Sequence, residues 1–133
     1  MSTQNSITFL KVIKAGLIAG LIGAGLNNIW AFIAQALGSD IPTGFPIFIT
    51  ISSFLPVLIG AVLFFAFVKF IPKGNLVWLT VGVGFLLFSF YPVFTTTELA
   101  NGTSVGEGFP LLVGPMHAIS GFLALWGIPR WAN

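Results

Sequence analysis

Within the long apolar stretches of this 133-residue chain, one side chain can titrate near neutral pH: His117, in Gly114-Pro115-Met116-His117-Ala118-Ile119-Ser120-Gly121. An imidazole inside a membrane span can accept, donate or relay a proton, so it is a candidate site. Charging it in hydrocarbon is costly, so a neutral ring is the resting expectation. The competing role is a hydrogen-bonded imidazole that fixes helix register. Ser120 follows three residues later, but no carboxylate orients the pair and no oxyanion hole is apparent. With one His, no Cys and no carboxylate inside an apolar run, a metal shell cannot be completed. No metal, cofactor or enzymatic activity is therefore expected. Val81-Gly82-Val83-Gly84 imitates a piece of a phosphate loop, but it lies inside an apolar run with no strand before it.

Other apolar runs bring hydrogen-bonding groups to a similar depth. Asn27 and Asn28 interrupt the first run, Ser52 and Ser53 the second, and Ser89 and Tyr91 the third. At the helical rise, His117 lies roughly 12 Å from the start of its run and Asn27 roughly 15 Å from the end of its own. His117, Asn27, Asn28, Ser53, Ser89, Tyr91 and Ser120 thus form a candidate polar binding layer in one half of the bilayer. Three prolines stand beside it: Pro56, Pro92 and Pro115. Each removes a helix N–H and frees a carbonyl about one turn earlier, which can open a cavity. Alternatively, Ser53 and Ser89 cap the freed carbonyls and the prolines are ordinary membrane-helix kinks.

The elements that position these groups follow from composition. The chain is 56% hydrophobic and 6% charged, too few charges to clothe a water-soluble surface. The lipid bilayer is expected as its solvent, and 1–133 as one transmembrane domain. Four apolar runs, at about 12–37, 45–70, 75–96 and 109–129, each exceed the ~20 residues that span the hydrocarbon core. Lipid leaves no partner for open backbone groups, so the spans are helices, and an all-α four-helix bundle is the expected fold. Residues 1–8 are polar and lack the pattern of a transit peptide. Asn27 and Asn28 break the first run where a cleaved signal core would be continuous.

Charge sets the expected orientation. Lys11, Lys14, Lys69, Lys73 and Arg130 flank one side of the four runs, and Asp40, Glu98 and Glu107 the other. The positive-inside rule then puts both termini in the cytoplasm. The same one-sided bias argues against dual insertion of the kind found in small multidrug exporters. A basic balance of five cations against three acids reflects topology here, and no nucleic acid partner is expected.

Small residues show where the helices approach one another. Gly16, Gly20, Gly23 and Asn27 share one face of the first helix, and Gly114, His117, Gly121 and Ala124 one face of the last. Both polar residues should therefore point into the bundle. Pro115-Met116-His117 followed by small residues, Ser89-Phe90-Tyr91-Pro92 in the third run and a Thr-rich loop after it resemble an uncharacterised family. It comprises small bacterial four-helix membrane proteins of unknown function. The resemblance implies a bacterial plasma (inner) membrane and no particular activity. Two roles stand open. One is binding or conducting a small solute or proton through the polar layer, which this orientation puts in the outer half of the bilayer, as a homo-oligomer. The other is a structural or accessory subunit whose Phe-rich faces dock lipid or a partner membrane subunit. A cavity in the layer would favour the first, and direct side-chain bonds the second.

Overall fold

A computed structural model describes residues 7–42 and 44–133; the polar start at 1–6 and Thr43 lie outside the described residues. Among these, four helices are long and apolar enough to cross a membrane. They are α1 (Phe9–Ala36), α2 (Phe45–Phe70), α3 (Gly74–Thr95) and a last span that begins as α4 (Phe109–Phe122). That span continues through a π-helical turn, Leu123–Gly127, into the short α5 (Ile128–Ala132).

Local chemistry sets the ends. Thr8 caps α1 by accepting a bond from the Lys11 amide at 3.3 Å, so the helix starts at Phe9, ahead of the apolar run proper. Helix α2 follows Gly44, whose φ of 79° is left-handed, and has Pro46 in its first turn. Pro56, Pro92 and Pro115 sit inside α2, α3 and α4 without ending them. The π turn lies just before Pro129. Proline has no N–H for the Leu125 carbonyl, and the Ile128 amide instead reaches Leu123, five residues back.

The bundle is antiparallel. Along the α1–α2 contact, Gly16 faces Ala61, Gly20 faces Phe54, and Asn27 bonds to Ser53. Helix α4 lies against the same face of α1, with Leu123 near Gly23 and Leu112 near Trp30. Helix α3 is the outlying member: of its 22 residues only Gly74, Trp78 and Val93 are buried. Two apolar cores result. One gathers Val12, Ala15, Ala19, Val57, Ala61, Phe64, Trp78, Leu123, Ile128 and Ala132. The other gathers Ala31, Ala34, Phe45, Ile49, Phe109, Leu112 and Met116. Along α1, α2 and α4 alike, Asn27, Ser53 and Ser120 fall between the two.

Antiparallel packing also segregates charge by end. The α2–α3 turn, with Lys73 at a φ of 57°, lies at the same, basic end of the bundle as the start of α1 and the end of α5. At the acidic end two loops are tied together, Ser39 being buried and donating its hydroxyl to the Gly108 carbonyl at 3.0 Å. The 96–108 loop is ordered by its own ladder, Leu99 N–H to Thr103 O at 2.8 Å and Val105 N–H to Thr97 O at 3.0 Å.

Candidate functional site

The candidate layer resolves into two clusters on different faces of α4. In the first, the side chain of Asn27 is 1% exposed. Its Nδ2 donates to Ser53 Oγ at 2.8 Å, to Ser120 Oγ at 3.0 Å and, more distantly, to the Met116 carbonyl at 3.4 Å. One amide thus joins α1, α2 and α4. Its Oδ1 is buried and has no hydrogen-bond partner among the described residues.

The second cluster lies between α3 and α4. His117 Nδ1 is 2.9 Å from Ser89 Oγ, and the Ser89 hydroxyl donates to the Leu86 carbonyl at 2.6 Å. A hydroxyl has one proton, so when Ser89 donates it to Leu86 the Ser89 oxygen accepts from a neutral ring protonated on Nδ1. Nε2 is then the free lone pair. The ring also leans on Phe90, at 5.9 Å between centroids. This pairing is one rung of an antiparallel seam in which Gly114 meets Val93, Gly121 meets Leu86, and Leu125 meets Gly82.

Both small-residue faces do pack, but against different partners. The α1 face meets α2 and α4, whereas the α4 face meets α3. His117 is about 100° round the helix from Met116, so it turns away from Asn27. The expectation of one convergent layer is corrected by this rotation. Asn28 stands at the rim, its Nδ2 donating to the Ala24 carbonyl at 2.8 Å and to Thr50 Oγ1 at 3.1 Å. Tyr91 joins neither cluster. Its side chain is 67% exposed and stacks on Phe88, outside the bundle.

The prolines are also resolved differently from the two alternatives read in the sequence. The carbonyl freed by Pro115 is that of Leu111, and Trp30 Nε1 donates to it at 3.1 Å while also reaching Leu112 O at 3.1 Å. Pro92 frees the Phe88 carbonyl, yet Ser89 bonds to Leu86 O. Trp30 is not among the residues of the candidate layer read from the sequence. Its bonding role was findable only by counting four residues back from Pro115 and knowing that α1 and α4 are antiparallel neighbours. Trp78 was likewise missed: it is buried among Phe64 and Phe67, and its Nε1 has no partner among the described residues.

Four apolar helices, three of them joined in the interior by Asn27 and all with charge confined to their ends, define an all-α membrane protein. Within that class, the chain belongs to a family of unknown function, DUF6069, whose profile matches residues 8–130. The motifs of Pro115-Met116-His117 and Ser89-Phe90-Tyr91-Pro92 lie inside this match. No curated protein and no solved structure matches the chain.

Proposed function

We propose that this chain is a structural or accessory subunit of a bacterial plasma membrane, with both termini in the cytoplasm, that works by docking α3 against a second copy of itself. The observation that carries the reading is the division of labour among the helices. Helices α1, α2 and α4 are joined by Asn27, and His117 is engaged by Ser89 between α3 and α4. Helix α3 leaves most of its surface outside. On that surface Gly84, Phe88 and Tyr91 fall at helical spacing, and nothing lies within 4 Å of a Cβ built at Gly84. A glycine on an open aromatic face lets another helix approach closely.

The test uses the absence of cysteine in the chain. Single cysteines at Gly84 or Phe88 are expected to form disulfide-linked pairs in native membranes under mild oxidation. A cysteine at Ile29, on the exposed face of α1, is expected to yield only traces. Equal yields at Ile29, or none at either α3 position, would sink docking through α3.

Orientation is tested separately. Cytoplasmic fluorescent reporters at either terminus should both be active, and a cysteine at Gly102 should label from outside with an impermeant maleimide. A silent C-terminal reporter beside an active N-terminal one would contradict the charge-based topology.

One observation favours a second reading, binding or passage of a small solute or proton. It is the Asn27 Oδ1, an acceptor sealed in the bundle and left without a donor among the described residues.

A further inference from the structure

One of the five cations has a setting of its own. The guanidinium carbon of Arg130 lies 5.5 Å from the centroid of the Trp126 ring. Trp126 in turn stacks on Phe122 at 5.3 Å and meets Trp131 edge-on at 6.3 Å. A shallow, widely open cleft lies beside it, lined by Leu125, Trp126, Pro129, Arg130 and Asn133. The π turn builds this arrangement by carrying Leu125 inward against Gly82 while Trp126 stays outside. Gly127 lets the Trp131 ring fold back, since a Cβ there would lie 2.9 Å from Trp131 Cζ3. Asp40, Glu98 and Glu107 are all at the opposite end of the bundle, so no side-chain carboxylate neutralises Arg130.

We infer that this cleft binds an anionic phospholipid of the leaflet at the basic end, with Arg130 taking the headgroup phosphate and an acyl chain lying along Trp126 and Phe122. Cation–π attraction holds the guanidinium near the ring without using its N–H groups, which remain for two parallel bonds to phosphate oxygens. Asn133 Nδ2 donates one proton to the Pro129 carbonyl at 2.5 Å and keeps a second for the headgroup. Below the charge, the half-exposed Trp126 and Phe122 make an apolar track towards the middle of the bilayer. Free phosphate would find no use for that track. This site does not rest on docking through α3.

The experiment is lipid retention by the full chain in detergent micelles, followed by native mass spectrometry at high salt. The probes are phosphatidylglycerol, phosphatidylcholine and inorganic phosphate. Phosphatidylglycerol should be retained in preference to phosphatidylcholine, and inorganic phosphate should not displace it. Arg130→Gln should weaken retention about tenfold, the loss of charge-assisted bonds. Arg130→Lys, which keeps the charge but loses the two-pronged fork, should lose most of the preference. Lys69→Gln should change it less than about twofold, because diffuse attraction is screened at high salt. Equal losses at Arg130 and Lys69, full retention by Arg130→Lys, or displacement by inorganic phosphate would each overturn the assignment.

Discussion

Replacing Gly16 with Leu is expected to prevent stable assembly of the bundle. A Cβ at this position would lie 2.5 Å from Ala61 Cβ, with the Leu58 Cα at 3.8 Å behind it. Ala61 has no torsion by which its methyl group can move aside, so the clash must separate the axes of α1 and α2. Separation would lengthen the bond between Asn27 and Ser53, now 2.8 Å, and open the core around Val57 and Phe64. Overpacking of this kind costs about 3 kcal/mol, and more where the backbone must shift. Gly121→Leu should be milder, because its obstacle is the end of the Leu86 side chain, which can change rotamer. Gly84→Leu should fall within about 0.5 kcal/mol of the parent, since nothing lies within 4 Å of its Cβ. Denaturation in mixed micelles orders the three variants. If Gly16→Leu were as stable as Gly84→Leu, the close α1–α2 contact would be refuted. The same Gly84→Leu chain should pair less well through α3, which separates folding from docking.

Asn27→Leu is expected to cost about 1–3 kcal/mol. It removes the amide that reaches Ser53 at 2.8 Å and Ser120 at 3.0 Å. Interhelical polar bonds in membranes average ~0.6 kcal/mol and reach ~1.7, and both bonds are lost together. The stranded hydroxyls can turn back to carbonyls of their own helices, which limits the damage. A double-mutant cycle of Asn27→Leu with Ser120→Ala should therefore show less than additive loss. Additivity would mean that the bond carries no coupling. The variant also separates the two functional readings. In the structural role, vesicles containing the parent protein and vesicles containing Asn27→Leu should show the same proton or solute flux. A flux present in the parent and absent in a folded Asn27→Leu protein would favour the second reading, built on the free Oδ1.

How much of this was legible in the residues depends on which physical constraint acts. Four spans follow from runs of apolar residues, because lipid allows no unpaired backbone and so dictates helix over each run. Segregation of charge by end follows from counting Lys, Arg, Asp and Glu between those runs, once four crossings are granted. The packing faces of α1 and α4 were legible too, since glycine recurs at helical spacing. Pairing was not. A glycine stripe states that something approaches closely, but it carries no mark of which helix does so. Only the tertiary structure decided that Gly16 and Gly20 meet α2 while Gly121 meets α3. That choice turns Asn27 and His117 towards different flanks of α4 and replaces one layer with two clusters. Tyr91 shows the same limit, because alternate faces of α3 are all apolar and its sequence leaves the rotation of the helix open. The capped carbonyl of Leu111 required both facts at once. Pro115 identifies the freed group, and only the register of α1 against α4 supplies Trp30 as its donor.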